Sequence, residues 1–358
     1  MMSVAEFTIS VSRLLDPAGK PVAPLPAFAQ DMAELVSLYR SMVLTRAFDA
    51  KAIALQRTGR LGTYASSLGQ EAVGVGVAAA MRPKDVLLPS FREHGAQLGR
   101  GVSLQELFLY WGGDERGNDF AIPREDFPNS VPVGSHAPHA VGVALAFRLR
   151  GDKRVAVCVF GDGATSKGDV AEALNMAGVW KLPVVFVACN NGWAISVPVA
   201  QQTRAQTLAQ KAIAAGIPGE QVDGNDVIAV RWAVENALAR ARAGEGAALI
   251  EALTYRLSDH TTSDDASRYR DDAEVSRHWP LEPILRLRRY LTDQGAWGKE
   301  QEDQLLHECN QAVEQAAATY LQTPPQVPDT MFKWTYAQLP ADLAEQAGTA
   351  KCVVSGTP

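Results

Sequence analysis

Asp162 and Asn191 are the residues whose types and spacing best suit them to chemistry. One offers a carboxylate and the other an amide oxygen, about thirty residues apart, and each closes an apolar run. Two hard oxygen donors suit a small divalent cation. Mg2+ takes few protein ligands and completes its octahedron with water and phosphate oxygens. Gly161 and Gly163 flank the carboxylate, and without side chains there a bulky anion can approach the backbone N–H groups. A Gly-Asp-Gly alone is a tight turn. Paired with Asn190-Asn191 at the end of a second run, it reads as a cradle for Mg2+ and a diphosphate.

The elements that must position these groups are legible around them. Val155 to Phe160 is a short apolar run rich in β-branched residues, the pattern of a strand buried on both faces of a parallel sheet. From Gly168 to Trp180 the period becomes helical, with Val170, Ala173, Leu174, Ala177 and Gly178 on one face. Lys181-Leu182-Pro183 stops the helix, and Val184 to Cys189 is a second buried strand. Strand, helix and strand make a βαβ unit whose polar residues lie at the carboxyl ends of the strands, where open α/β sheets bind ligands. The helix beginning near Gly168 directs its positive end at the same place.

Further candidates lie at other strand ends. Asp85 to Ser90 reads as a short strand leading into Phe91-Arg92, and a guanidinium there can grip phosphate oxygens bidentately. Ala247 to Tyr255 reads as another buried strand, followed by the polar segment 256–270 with His260. Asp259, next in sequence, is expected to raise the pKa of that imidazole. Asp264 and Asp265 lack the ligand spacing of a calcium loop and are expected to pair with Arg268 and Arg270. His136 and His139 have no third ligand nearby and are expected to pack and cap. Gly74 and Gly76 imitate a dinucleotide fingerprint, but they lie inside a helical run with no strand before it, so they read as helix-packing residues.

Gly161-Asp162-Gly163 followed by Asn190-Asn191 resembles the thiamine diphosphate motif. The wider text, GDGATSKGDVAEALNMAGVWKLPVVFVACNNGWAIS, resembles the α subunit of the E1 component of 2-oxo acid dehydrogenase complexes, and the likeness extends over roughly 33–343. The resemblance implies the diphosphate-binding half of a thiamine diphosphate-binding fold. It places Mg2+ on Asp162, Asn191 and the backbone carbonyl of Trp193. It places the cofactor against Phe91, Arg92, Val131, Val133, Gly161, Asp162, Gly163, Ala164, Asn191 and His260, with Val131 and Val133 at the aminopyrimidine end. Segment 256–270 resembles the active-site loop of the family, which makes His260 the candidate catalytic residue, assisting reductive acylation or stabilising the bound intermediate. Two departures stand out: Phe91 where tyrosine is usual in the family, and Ser258-Asp259 where relatives usually have glycine with proline, histidine or glycine.

In that family thiamine diphosphate supplies the electron sink for decarboxylation of a small 2-oxo acid, and the protein supplies orientation and proton traffic. Only one diphosphate-binding domain is evident here. The resemblance therefore implies an α2β2 assembly with an E1 β subunit and delivery of the acyl group to the lipoyl group of an E2 acyltransferase. QTLAQKAIAAGIPG and EALTYR look closest to bacterial pyruvate dehydrogenase α subunits; branched-chain 2-oxo acid and acetoin dehydrogenases are the alternatives. A phosphoryl-transfer enzyme would need a GxxxxGK[ST] loop, which is absent. A structural subunit with a decayed site is disfavoured because Arg92, Asp162, Asn191 and His260 are all present.

The rest of the chain fits an α/β protein with a mostly parallel sheet flanked by helices. Its 358 residues and formal net charge of −6 argue against nucleic acid as a partner. No apolar run is long enough for a membrane span and no leader is evident, and four cysteines without CxxC spacing suit a reducing cytoplasm. Residues 1–30, with four prolines, are expected as an extended arm, 31–279 as the α/β domain, and 280–358 as a helical extension and tail. Asp31 should cap a helix to about Thr58 and Asp226 one from Val227 to Ala243. Gln202 to Ala215 and Pro280 to Tyr320 should be helical, with a loosely structured remainder.

Overall fold

The computed structural model describes residues 4–333 and 335–355. The chain divides into two compact units, Met1–Ala317 and Ala318–Pro358. The first half begins with β1 (Val11–Ser12), α1 (Met32–Arg57), α2 (Glu71–Ala80), β2 (Val86–Leu88), α3 (His94–Arg100) and α4 (Leu104–Trp111). Next come α5 (His136–Arg150), β3 (Ala156–Gly161), α6 (Gly168–Val179), β4 (Val184–Asn190), β5 (Trp193–Ala194), β6 (Val197–Pro198), α7 (Val199–Gln202) and α8 (Lys211–Ala214). The series closes with β7 (Gly219–Asp223), α9 (Val227–Ala243), β8 (Ala248–Leu253), α10 (Asp272–His278), α11 (Pro283–Asp293), α12 (Lys299–Gln322), α13 (Thr330–Lys333) and α14 (Ala341–Ser355).

Six strands form one parallel sheet in the order β1-β7-β8-β4-β3-β2, so the expected βαβ unit lies at its middle. Side chains along a strand alternate between faces, and the core divides accordingly. Val155, Val157 and Val159 join Val185 and Val187 on the face covered by α2 and α9, whereas Ala156, Cys158 and Phe160 join Phe186 on the face covered by α5 and α6. Both faces are dry, which is why β3 and β4 read as unbroken apolar runs. In α2 a Cβ on Gly76 would lie 2.7 Å from Val230 of α9; the small residues there do serve helix packing.

Several boundaries depart from expectation. The arm contributes an edge strand, β1, parallel to β7, and buries Leu14 and Leu15, whose backbone N–H groups both donate to Asp226. Gln202 to Ala215 is not one helix. Thr203 is extended after α7, and Thr207 opens a new turn by a capping box with Gln210. The helical region after Pro280 breaks at Gly295 (φ +68°) into α11, capped by Glu282, and α12. The tail is more ordered than expected, since Ala341–Ser355 is helical. α5 starts at His136 and accommodates Pro138 in its first turn, where no intrahelical N–H is needed. Among the described residues no helix is long and apolar enough to cross a membrane.

Candidate functional site

Four adjacent strands bring their carboxyl ends to one place. β2 delivers Ser90, Phe91 and Arg92, β3 delivers Asp162, β4 delivers Asn191, and β8 leads to Arg256 and His260. A cavity of about 190 Å³ opens there, and every residue expected at the site except Val131 lines it. Val131 is 57 % exposed and stands outside the lining.

Asp162 is buried to 1 % exposure. Its carboxylate accepts from Gln202 Nε2 at 2.7 Å. Burial pushes its pKa up, and this neutral donor offsets only part of the effect. Among the described residues no cation pairs with it directly, and the charges of Arg256 and Arg92 offset burial only in part, a liability that a bound cation would remove. Asn191 is held by Gln70, whose Oε1 accepts from Asn191 Nδ2 at 3.0 Å, and its own Oδ1 accepts from the Trp193 backbone N–H at 3.2 Å. Among the described residues no group of three His, Cys, Asp or Glu side chains could hold a metal ion. One carboxylate, one amide oxygen and one backbone carbonyl are instead the donor set of a hard cation that shares its shell with phosphate oxygens. The residues present fit Mg2+ with a diphosphate. A Cβ on Gly161 would meet nothing within 4 Å, whereas one on Gly163 would lie 2.8 Å from Ala194 Cβ. The first glycine leaves the turn open and the second lets the β5–β6 hairpin close on it.

Two guanidiniums lie near these groups, and of the two Arg92 lines the cavity. Arg92 donates through Nη1 to Ser66 O at 2.5 Å and through Nη2 to His260 O and Nδ1 at 2.6 and 2.9 Å. Ser66 in turn donates to the buried carboxylate of Asp49 at 2.5 Å, which also accepts from Tyr64 and from the Ser67 backbone N–H. Arg256 is wholly buried and donates to Trp193 O at 3.2 Å, Ile195 O at 2.8 Å and Tyr269 Oη at 2.8 Å. Burial and then the charge of Arg256 lower the Arg92 pKa to about 10, and burial also lowers that of Arg256. Arg92 is half-buried and lines the cavity, and an anion bound there would stabilise a guanidinium whose charge burial and Arg256 disfavour.

His260 behaves differently from its sequence neighbours' promise. Asp259 does not raise its pKa, because that carboxylate turns away to accept from Ala266 N. Burial first, then Arg92 and Arg256, push the imidazole down to about 4, with Asp264 opposing weakly. Asp264 and Asp265 also do not pair with Arg268 and Arg270. Asp264 accepts from the His260 backbone N–H and from the Tyr269 hydroxyl, Asp265 caps the turn at Ser267, and Arg270 donates to the carbonyls of Arg256 and Ser258. Phe91 has no hydroxyl to bond there; its ring meets that of His260 in a T-shaped pair, 6.2 Å between centroids, and the Arg92 guanidinium lies over it at 5.3 Å. His136 is a packed core residue bonded to Val159 O, as expected.

Sequence reasoning missed Arg256, Gln70, Gln202 and Asp49. Arg256 carried a signal, since it follows a buried strand as Arg92 does. The other three carried none, because their partners lie far away in the chain.

At the carboxyl edge of a parallel sheet lie a buried carboxylate with no ion-pair partner among the described residues, an asparagine and two guanidiniums, a set of groups that fits an anionic ligand with a cation. A family model described as "Dehydrogenase E1 component" matches residues 39–328. The chain belongs to the dehydrogenase E1 component family, among its α subunits. It is 43 % identical over 336 residues to a 3-methyl-2-oxobutanoate dehydrogenase subunit alpha of Mycobacterium tuberculosis (strain CDC 1551 / Oshkosh), covering 93 % of this chain and 91 % of the relative. It is 41 % identical over 327 residues to a pyruvate dehydrogenase E1 component subunit alpha of Acholeplasma laidlawii, covering 90 % and 94 %. A protein of the same name from Staphylococcus aureus (strain Mu50 / ATCC 700699) is 40 % identical over 314 residues, covering 87 % and 85 %.

Proposed function

We propose that this chain is the thiamine diphosphate- and Mg2+-holding α subunit of an α2β2 2-oxo acid dehydrogenase, decarboxylating pyruvate and passing the acetyl group to the lipoyl group of an E2 acyltransferase. The observation that carries the reading is the meeting of Asp162, Asn191, the Trp193 carbonyl, Arg92 and His260 in one cavity. Bound thiamine diphosphate supplies the electron sink for loss of CO2. This chain's residues do the holding. Asp162, Asn191 and Trp193 O ligate the cation, Arg92 binds diphosphate oxygens, and the bare backbone at Gly161 lets the anion approach.

His260 has a defined protonation state. A guanidinium can only donate, so Nδ1 accepts from Arg92 and the neutral ring carries its hydrogen on Nε2. At neutral pH the side chain is thus an uncharged donor, suited to a developing negative charge on substrate or lipoyl sulfur. Asp162 is the one carboxylate lining the cavity. Assigned to the cation, it leaves none to promote the imino form of the aminopyrimidine, and the β subunit supplies that group in this reading.

One observation favours a second substrate, 3-methyl-2-oxobutanoate: the cavity carries the apolar side chains Phe91, Val133 and Ile195, which suit a branched aliphatic group. The test is calorimetric titration of thiamine diphosphate, with and without Mg2+, into the chain co-purified with its β subunit. Binding should require Mg2+ and disappear in Asp162→Ala. Comparing kcat/KM for the two 2-oxo acids then ranks the substrates. Absence of any binding in the assembled wild type would sink the proposal.

A further inference from the structure

The β5–β6 hairpin carries the Trp193 carbonyl on one strand, and its two-residue tip is strained. Ile195 has φ +55°, a region that β-branched side chains avoid. Two donors hold the tip in place, the buried Arg256 and the half-buried Gln202. Arg256 binds the carbonyls of Trp193 and Ile195 from one side. On the other, Gln202 at the end of α7 donates from one amide nitrogen to Val197 O at 3.2 Å and to Asp162 Oδ2 at 2.7 Å. Gln202 is therefore a bridge between the hairpin and the Gly161-Asp162-Gly163 turn. Among the described residues it is the one side-chain donor on the Asp162 carboxylate. Its chemistry is selective: an amide orients the carboxylate without neutralising it, so the full negative charge remains for a cation, which a lysine or arginine at this position would repel.

We propose that Gln202 is a positioning residue for the cation site. It fixes the rotamer of Asp162 and, through Val197 O, sets that carboxylate against the Trp193 carbonyl on the same hairpin. Partners that orient metal ligands in this way tune affinity by roughly 10- to 100-fold. The inference rests on the reading that Asp162 and Trp193 hold Mg2+.

The experiment measures Mg2+ affinity by calorimetry at fixed thiamine diphosphate, using the chain co-purified with its β subunit. Gln202→Ala should bind Mg2+ about 10- to 100-fold more weakly. Gln202→Asn, one methylene too short to span both acceptors, should follow it, and Gln202→Lys should lose the cation altogether. Raising Mg2+ to saturation should return the thiamine diphosphate affinity of Gln202→Ala to the wild-type value. A merely structural role would instead weaken thiamine diphosphate binding at every Mg2+ concentration. That result, or Mg2+ affinity in Gln202→Ala within about twofold of wild type, well short of the roughly 10- to 100-fold change expected when a ligand-orienting partner is lost, overturns the proposal. Wild-type protein that binds thiamine diphosphate without any Mg2+ dependence overturns the reading beneath it as well, and the two failures are told apart by the wild-type titration alone.

Discussion

Arg92 sets both the charge and the tautomer of His260. Its Nη2 occupies the Nδ1 lone pair at 2.9 Å, and its charge adds to burial in holding the imidazole near pKa 4. Replacing Arg92 with Gln removes one of two nearby cations. The His260 pKa should then rise from about 4 toward the ordinary 6.5, followed by NMR titration of the ring; an unmoved titration would contradict this electrostatic account. The sign on stability follows. As pH falls from about 6.5 to about 4, the unfolded chain takes up a proton that folded His260 refuses. Stability is whole above that window and declines through it, and Arg92→Gln should narrow the window from below. The same substitution deletes charge-assisted bonds worth about 1.5–3 kcal/mol, or roughly 10- to 100-fold in cofactor affinity. Arg92 and His260 were visible in sequence because they follow predicted strands within a recognisable text. Gln202 was invisible, since only the folded hairpin turns it back 40 residues to Asp162.

At the scale of elements, legibility follows periodicity. β3, α6 and β4 announce themselves because both faces of the strands are buried and the helix has one apolar stripe. β1 is two residues long and half exposed, too short for any period, and its place in the sheet comes from β7 and from the Asp226 carboxylate rather than from its own residues. The loop after β8 is ordered by a chain of polar groups that no local pattern encodes. Arg256 donates to the Tyr269 hydroxyl, which donates to Asp264, which also accepts from the His260 backbone. Tyr269→Phe cuts this chain in the middle. Losing about 1 kcal/mol of net hydrogen bonding should raise the open population of the loop about fivefold. Limited proteolysis at Arg268 and Arg270 should accelerate accordingly, while the thermal midpoint of the chain moves little. Unchanged cleavage would mean that packing of Tyr269 against Trp193, 5.6 Å between ring centroids, holds the loop without the hydroxyl.

In the proposed assembly the whole molecule offers one wall of a site. Its cavity of about 190 Å³ is smaller than the roughly 300–1,000 Å³ that encloses a cofactor-sized ligand. The rim is apolar and open: Val131 and Ile195 are 57 % and 55 % exposed, and Val133 is exposed beside them. Clustered exposed apolar side chains at the mouth of a cavity are the kind of surface a partner covers. Val131 then has a consistent place in the proposed assembly: it stands outside the cavity of the single chain and becomes part of the pocket wall once the β subunit closes over it. The charges argue the same way. The cavity lining carries Arg92 and Asp162, which the proposed reading gives to the diphosphate end, and no second carboxylate for the ring end. A ligand gripped at one end only loses the burial of its rings, at about 25 cal/mol per Å² of apolar surface. Leaving about 100 Å² of ring surface wet costs more than tenfold in affinity. Calorimetry on the chain alone should therefore give thiamine diphosphate binding at least about tenfold weaker than on the α2β2 assembly at the same Mg2+ concentration. Equal affinities would place the complete cofactor site within this chain and remove the argument for a shared one.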